Sequence, residues 1–507
     1  MLWKLSPCFL ILMMFDPGQH EMPLLQHIDG DCESQNSPPS TTQSSSIFSS
    51  IKMTAKHREV WGPFFTTKLK NTLYFLLPSW YPSSRHKLPS AGTTATATSY
   101  MSGVRGVASV LVFIHHYPLD YYPHLHRGYG AYPEDTSFFQ LPFIRVIYAG
   151  RFMVSIFFVL SGYVLTYKPL QQIRSGSRAA LADTLASSVF RRWFRLFLPI
   201  FLSTFIQMLT VHWGWYGSEY KAVHVEPIVA FPKQFSQWAQ DLYNMFNPFT
   251  WVSYVPIYSP QLWTLPTEFR GSMLVFITTL GLSKAKTHVR MPVIFAFALY
   301  ALSLGKSWDM FLFLSGPILA EAQLIQRESG WTFPGHFRGS RKAKFAELAS
   351  RCFWLSVFIF SLFLAGWPDD NSERSVGYVS LTHITPKRFN NGTNRSRFWT
   401  SIGAVLMLAS FENLPVLQRP FNTAVAEYLG EISFALYIVH VGILYTFGWH
   451  LTTYCIAATG SRACGFLIAA CMVTPVTFWV ADVFWRGVDV RCVKAARRLW
   501  GWASVPR

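Results

Sequence analysis

Apolar residues recur in long blocks along most of the chain, and polar residues gather in the segments between them. A helix of about 20 apolar residues spans the hydrocarbon core of a bilayer. Ten blocks fit helices by this pattern, although the fifth and eighth are shorter than a standard span. They lie near residues 104–118, 146–167, 194–213, 262–282, 291–304, 310–325, 352–367, 398–411, 428–449 and 463–485. The pattern predicts an all-α polytopic membrane protein with about ten transmembrane helices.

The two ends of the chain differ from this apolar region. A run of nine apolar residues near the start is too short to span a membrane and has no small-residue cleavage site after it, so we interpret residues 1–60 as a disordered or misassigned start. Residues 61–99 mix aromatic residues with Leu and Lys, which favours an amphipathic lead-in at the membrane interface. We assign residues 100–486 to the transmembrane domain and residues 487–507 to a basic cytosolic tail.

Composition supports the membrane class. The 507 residues are 50% hydrophobic and only 14% charged, whereas a soluble domain carries about 25% charged residues. A net charge of +18 would indicate nucleic acid as a partner of a soluble protein. Here the cations fall between apolar blocks, where they orient helices and contact anionic lipid. We therefore expect the lipid bilayer as a partner, and no nucleic acid.

The loop cations predict an orientation. They are concentrated in alternate connections, near residues 168–192, 284–290, 327–344, 419 and 486–498. The positive-inside rule then places both termini in the cytosol. Two N-glycosylation sequons begin at Asn391 and Asn394, in the loop 368–397 that this orientation sends to the lumen or exterior. Both signals predict a multi-pass glycoprotein of an endomembrane or the plasma membrane.

The seven cysteines are scattered and include no Cys-x-x-Cys pair. The sequence therefore predicts neither a metal site nor a disulfide framework. Only Cys455 and Cys464, which flank one predicted loop, are placed to pair if that loop faces an oxidising lumen.

One stretch joins a cation and two histidines to the first predicted helix. Arg105 opens it, His115 and His116 close it, and ten residues separate Arg105 from His116. In helical form the interval covers about 16 Å, roughly half the hydrocarbon thickness. An ionisable side chain at that depth is a functional-site hypothesis by default. The alternative is an interfacial anchor and a helix cap, and the stretch alone leaves both interpretations open.

Two further arginines precede the third predicted helix. Arg192 and Arg195 are three residues apart and share a helical face. A guanidinium group binds phosphate through a planar, bidentate fork. A positive-inside anchor explains Arg192 adequately, but Arg195 lies one turn deeper. Together with Arg105 at the cytosolic rim, the pair suits an anionic, phosphate-bearing cosubstrate.

Three other polar positions lie on apolar helices. Glu268 lies at the start of the fourth predicted helix, on the lumenal side. It is either an interfacial acid or a functional residue: a structural or acid–base partner of His116, or a hydrogen-bond acceptor for a hydroxyl substrate. Ser161 and Gly162, within a bulky helix, permit close approach of another backbone or a thin ligand, and packing is the simpler explanation. His440 alone is more typical of a satisfied core histidine than of a site.

Five motifs together resemble the integral-membrane acyltransferase family 3, particularly its fungal members. They are Arg105-x10-His116, FFVLSGYVL, RRWFRLFLP, LWTLPTEFRG and GEISFALYIVH, in this order, over about residues 60–490. The resemblance implies ten core helices and acyl-CoA-dependent O-acylation, often O-acetylation, of an acceptor hydroxyl. No permanently bound cofactor is implied, and acyl-CoA, here acetyl-CoA, is the cosubstrate.

The resemblance also implies roles for individual residues. His116 matches the family's essential histidine, and Arg105 its cationic partner. Arg192 and Arg195 match the Arg-x-x-Arg pair associated with acyl-CoA phosphates. Glu268 matches the acid of a Trp-x-Leu-x-x-Glu motif, and Ser161 with Gly162 match a Ser-Gly of the second helix. One departure is Ser102, where the family usually has Asp, which leaves Arg105 without that carboxylate.

We therefore expect His116 to act as a general base or as a transient acyl carrier. We expect a hydroxyl-bearing acceptor such as a secondary metabolite, glycan or lipid. Two other classes stay open: a secondary transporter, which also uses ionisable residues within helices, and a catalytically inactive scaffold, for which Ser102 is the reason.

Overall fold

The computed structural model describes residues 75–79, 98–217, 225–247, 254–303, 307–329, 341–389 and 391–505. The chain divides into two units, residues 1–87 and 88–507, and of the first only residues 75–79 are described. The predictions made for residues 1–60 and for most of 61–99 therefore lie outside the described residues.

The described part of the second unit is built from helices and contains no strand; one isolated β-bridge joins Arg127 to Asp370. The helices are α1 (Ser99–Tyr121), α2 (Gly150–Arg174), α3 (Arg178–His212), α4 (Phe231–Phe246), α5 (Thr264–Gly281), α6 (Thr287–Ser303), α7 (Trp308–Ser329), α8 (Arg341–Ala365), α9 (Val379–Ile384), α10 (Gly392–Asn413), α11 (Ala424–Ile443), α12 (Trp449–Thr459), α13 (Arg462–Phe484) and α14 (Val490–Ala503).

Each of the ten predicted apolar blocks overlaps a helix, and the ninth runs from α11 through the following π turn to the first residue of α12. Within the described ranges, five helical stretches are long and apolar enough to cross a membrane: α2, α3, α8, α11 with α12, and α13 with α14. A sixth is obtained if α10 and the following turn Pro415–Asn422, which meet at 97°, form one broken span. The described part of the chain is therefore all-helical, with several apolar helices of transmembrane length, while the number ten and the cytosolic termini stay predictions.

Of the long helices that lack a sufficiently apolar window, α5 and α7 carry charged side chains that pair with other helices. Arg270 on α5 donates to Asp309 on α7 at 2.5 Å. Glu321 on α7 accepts from Arg290 of α6 at 2.7 Å and from Arg174 of α2 at 2.9 Å. A buried ion pair is costly to break because the remaining charge is left without a partner. These bridges therefore tie α2, α5, α6 and α7 together.

Glycines bring α1 into close contact with α11 and with the turn before it. A Cβ atom at Gly106 would lie 2.4 Å from the backbone nitrogen of Gly430 on α11. One at Gly103 would lie 2.0 Å from the carbonyl oxygen of Phe421, in the turn Pro415–Asn422. Gly162 of α2 has the same role against α7, since a Cβ there would lie 2.2 Å from the Phe313 carbonyl oxygen. Only glycine permits such backbone contacts between helices.

Two helix pairs are joined through single π-helical turns. Leu444–Gly448 connects α11 to α12, and Trp485–Asp489 connects α13 to α14. π turns inside α-helices occur frequently at functional sites. Cys455 on α12 and Cys464 on α13 are both free thiols, so the structure does not contain the disulfide that their spacing permits.

Candidate active site

A cavity of about 140 Å³ lies among α1, α2, α3, α5 and α11. We call it the arginine cavity. It brings together five residues that the sequence singled out: Arg105, Ser161, Arg192, Arg195 and Glu268. Three arginines and one glutamate give its lining a formal charge of +2, so the cavity favours an anion.

Hydrogen bonds fix two of these arginines. Arg192 forms an ion pair with Glu268, and its Nε donates to the Ser272 hydroxyl at 2.9 Å. Ser161 forms a hydrogen bond with the same Glu268. Arg105 Nη2 donates to the backbone carbonyl of Gly430 at 2.9 Å. Arg195 is exposed, so its guanidinium group is open to a ligand.

The hydrogen-bond acceptor of Arg105 shows what the presence of Ser102 means for this arginine. Ser102 packs directly against α11, where a Cβ at Gly430 would lie 2.4 Å from its hydroxyl oxygen. In place of the carboxylate that the sequence resemblance implies, Arg105 has the Gly430 carbonyl as a hydrogen-bond acceptor. Asp489 and Glu431 also act on Arg105 electrostatically. The substitution at Ser102 therefore does not leave the guanidinium group without an acceptor.

A second cavity, of about 180 Å³, lies farther along α1 and α11, and we call it the histidine cavity. His116 lines it, together with His115, Asp120, His126, Gln261 and Tyr445. Tyr445 belongs to the π turn between α11 and α12. Arg105 and His116 thus lie in different cavities on one helix, eleven residues or about 16 Å apart.

The two adjacent histidines of α1 are held differently. His115 Nδ1 donates to the backbone carbonyl of Tyr148 at 2.9 Å. The ring of His115 also packs on Gly150, where a Cβ would lie 2.4 Å from its Cγ. His115 is therefore fixed between α1 and the start of α2, which leaves His116 as the residue of the pair better suited to react with a substrate.

A buried carboxylate, that of Asp369, is hydrogen-bonded to His126 of the histidine cavity. His126 Nδ1 donates to Asp369 at 3.2 Å, and Arg151 Nε contacts the other carboxylate oxygen at 3.1 Å. Burial alone would raise the pKa of Asp369, but Arg151 and the hydrogen bond from His126 hold it below its usual range. Asp369 is therefore an ionised group that orients His126 toward the cavity.

A polar wall separates the two cavities. The Tyr437 hydroxyl contacts the Thr264 hydroxyl at 2.5 Å and donates to the Gln261 carbonyl. Tyr437 and Thr264 line the arginine cavity, whereas Gln261 lines the histidine cavity. Any chemistry that uses both cavities must pass this wall.

His440 lies behind the wall, between its ring neighbours His116, at 5.3 Å between centroids, and Tyr437, at 6.0 Å. Its Nδ1 donates to the Leu436 carbonyl at 3.0 Å, which leaves Nε2 as the basic nitrogen. That Nε2 is buried and has no hydrogen-bond partner among the described residues. Buried polar atoms usually have a hydrogen-bond partner, so this unpaired nitrogen beside His116 is exceptional.

The structure thus groups the residues singled out from the sequence in a new way. Glu268 lies in the arginine cavity and pairs with Arg192, and the structure does not bring it to His116. Gly162 packs on Phe313 of α7 and does not line either cavity. His126, Asp369 and Arg151 were missed because they come from loops and a helix end. His440 was noted, but its proximity to His116 depends on the packing of α11 on α1.

Comparisons with known proteins identify the family of the chain. Residues 98–486 match the model of a family described as an acyltransferase domain. The chain belongs to the integral-membrane acyltransferase family 3. The match includes both cavities and ends at Arg486, within the π turn that precedes α14.

Two fungal relatives extend over nearly the same length. The chain is 30% identical over 468 residues to the O-acetyltransferase PaAT-1 of Phomopsis amygdali. This alignment covers 86% of this chain and 90% of that protein. It is 25% identical over 463 residues to the acyltransferase clz18 of Cochliobolus lunatus, with 80% and 97% covered. No solved structure matches the chain significantly.

Proposed function

We propose that this membrane acyltransferase moves an acyl group, most simply acetyl, from acyl-CoA to a hydroxyl group of an acceptor. The observation that carries the proposal is the alignment of two cavities along α1 and α11, one lined by arginines and the other by histidines. Family membership supports acyl transfer as the reaction. The relative named as an O-acetyltransferase supports acetyl as the acyl group and an oxygen atom as its acceptor.

The arginine cavity suits the donor. Coenzyme A carries several phosphates, and Arg105 and Arg195 offer cationic donors that fit phosphate oxygens. Glu268 neutralises Arg192 and keeps its guanidinium group in place. Since a phosphorylated nucleotide does not enter the hydrocarbon core, the phosphates stay at the arginines and the thin pantetheine arm extends along α1. The thioester then reaches the wall formed by Tyr437 and Thr264.

The histidine cavity suits the chemistry. In the proposed step a ring nitrogen of His116 takes the proton of the acceptor hydroxyl while the oxygen attacks the thioester carbonyl. The carbon–sulfur bond breaks, the coenzyme A thiolate leaves, and the imidazolium returns the proton to sulfur. His440, with its unpaired Nε2 beside His116, is placed to share that proton.

A two-step route uses the same residue. His116 first takes the acyl group as the carbon–sulfur bond breaks and the coenzyme A thiolate leaves. The acceptor oxygen then attacks the acylimidazole, the carbon–nitrogen bond breaks, and the hydroxyl proton passes to the thiolate. Rapid acid quenching with labelled acetyl-CoA separates the routes, because only the second leaves label on the protein. The acceptor belongs to the class of secondary metabolites, glycans or lipids that offer a free hydroxyl.

The test uses membranes containing the protein, labelled acetyl-CoA and a host-cell extract. Wild-type membranes should label an acceptor, and His116→Ala should not. The matched control is His288→Ala, which removes an exposed histidine of α6 remote from both cavities. Labelling by His116→Ala at the wild-type rate would remove the proposal, whereas solute uptake without acyl-CoA would favour a transporter.

A further inference from the structure

A third cavity, of about 670 Å³, lies between α2, α3 and α14. We call it the outer cavity. Its lining includes Lys168 on α2, Asp183 and Arg191 on α3, and Trp500 on α14. It combines cations, a carboxylate and an aromatic face, and of the residues named here only Arg191 belongs to a motif quoted from the sequence.

The outer cavity follows the arginine cavity along one groove. Ser161 in the arginine cavity and Lys168 in the outer cavity lie two turns apart on the same face of α2, a separation of about 10 Å. Val164 between them is 56% exposed, so no bulky neighbour covers the groove there. On α3, Arg191 and Arg195 are four residues apart, and one lies in each cavity.

Like charges converge where the cavities meet. Arg195 and Arg497 are both close enough to Arg191 to repel its guanidinium group. The Nε of Arg191 donates to the Ser187 carbonyl at 3.1 Å, which orients the side chain but does not offset its charge. Three cations gathered in this way create a positive field that a phosphate group would relieve.

The aromatic wall is also ordered. The Trp500 indole is half-buried and packs on Phe190 of α3, with 5.5 Å between the ring centroids. A fixed indole beside arginines suits a nucleobase, because bases stack on aromatic side chains. The carboxylate of Asp183 is an acceptor for a ribose hydroxyl.

We propose that the outer cavity binds the 3′-phosphorylated adenosine end of the coenzyme A donor. This inference rests on the proposed function, because it extends the same donor site outward. The diphosphate lies at Arg195, the adenine stacks on Trp500, and the 3′-phosphate contacts Arg191, with Arg497 and Lys168 nearby. An anionic lipid headgroup shares the phosphate chemistry but lacks the base, and the experiment separates the two sources.

The experiment compares two donors with purified protein in nanodiscs of neutral lipid. Acetyl-CoA has the whole nucleotide, whereas S-acetylpantetheine ends before the phosphates. For Trp500→Leu we expect the KM for acetyl-CoA to rise about tenfold, as for loss of a stacked base. Arg191→Gln should raise the KM for acetyl-CoA about as much. In this variant the KM for acetyl-CoA should equal the KM for acetyl-3′-dephospho-CoA, because the contact with the 3′-phosphate is lost. With S-acetylpantetheine neither variant should differ from the wild type.

The matched control is Trp502→Leu, the same substitution two residues along α14 at an indole that is 86% exposed. Its KM for both donors should equal that of the wild type. Equal losses with both donors in Trp500→Leu, or losses that appear only when anionic lipid is added, would overturn the subsite. A wild type inactive with both donors would instead contradict the proposed function.

Discussion

At the scale of residues, the partners of each side chain determine whether it is held in place or open to a ligand. Arg192 and Glu268 neutralise each other, whereas Arg195 faces the cavity with its charge exposed. His115 and His116 both line the histidine cavity, but only the ring of His115 is held by a backbone carbonyl. Residues of one type therefore divide into structural and reactive members according to their partners.

The first prediction concerns the Arg192–Glu268 pair, both of whose side chains are 12% exposed. Glu268→Gln should lower the free energy of unfolding by about 3 kcal/mol, because it leaves a largely buried guanidinium group without its carboxylate. Adding Arg192→Met should restore at least half of that loss, since no charge is then left unpaired. Thermal unfolding in detergent, followed by size-exclusion fluorescence, measures both; additive losses in the double variant would contradict the pairing.

A second prediction follows from Asp369. Since its pKa is lowered in the folded protein, the ionised carboxylate stabilises the fold fully above its ordinary pKa near 4, and this contribution is lost as the pH falls further. Asp369→Asn should destabilise the protein by about 3 kcal/mol, equally at pH 5 and pH 8.

Unfolding midpoints of Asp369→Asn and wild type across this range provide the measurement. The difference should shrink only below about pH 4. A difference that grows between pH 5 and pH 8 would mean that Asp369 is protonated in the fold, contrary to its contacts with Arg151 and His126.

Sequence patterns predicted most of the residue types at the site but not their grouping. The intervals within α1 and α3 indicated Arg105, His116, Arg192 and Arg195, since helical spacing relates such positions. The pairing of Glu268 with Arg192 depends on how α5 packs on α3, which no local pattern encodes. Asp369 reaches His126 across 243 positions of sequence, and only the fold brings them together.

At the scale of elements, close contact between α1 and α11 sets the positions of both cavities. Arg105 and His116 on α1 face Tyr437 and Val441 on α11 across them. The apolar blocks predicted these helices well, because hydrophobic length is a local property. The π turns were not predictable, since an extra residue in one turn leaves no mark on the hydrophobic pattern.

The third prediction tests this contact. Gly106→Ala should destabilise the protein by at least about 2 kcal/mol, because its Cβ would overlap the backbone at Leu429 and Gly430 and force α11 away. Gly281→Ala, at the end of α5, has open space around the new Cβ and should cost less than about 0.5 kcal/mol. Thermal unfolding of the two variants side by side is the measurement, and equal stability would contradict the close packing.

At the scale of the whole molecule, the three cavities form a sequence from the C-terminal end of α2 to the loops that carry His126 and Asp369. The outer and arginine cavities share the groove of α2 and α3, and the histidine cavity lies beyond the wall at Tyr437. Such an order suits a donor that enters from one side and an acceptor that enters from the other. The orientation of this order in the membrane is a prediction from loop cations.

Glycosylation tests that orientation. Asn391 is exposed and caps α10, where its side chain accepts from the Asn394 backbone at 2.9 Å, and Asn394 is partly exposed. If the loop faces the lumen, glycosidase digestion should increase the electrophoretic mobility of the wild type. The double variant Asn391→Gln/Asn394→Gln should show no such shift. A further test adds an impermeant thiol reagent outside sealed, lumen-out vesicles that contain a variant with a cysteine introduced in this loop. If the reagent does not modify that cysteine, the result contradicts the orientation.

The most direct test of the account is the rate of acetyl transfer by purified protein in nanodiscs. Labelled acetyl-CoA and the acceptor identified from the membrane assay are supplied to wild type, His116→Ala and His288→Ala. We predict a loss of at least about 100-fold in kcat for His116→Ala, with normal rates for His288→Ala, as expected for removal of a general base. A His116→Ala rate within twofold of the wild type would contradict the assignment of the histidine cavity as the site of acyl transfer.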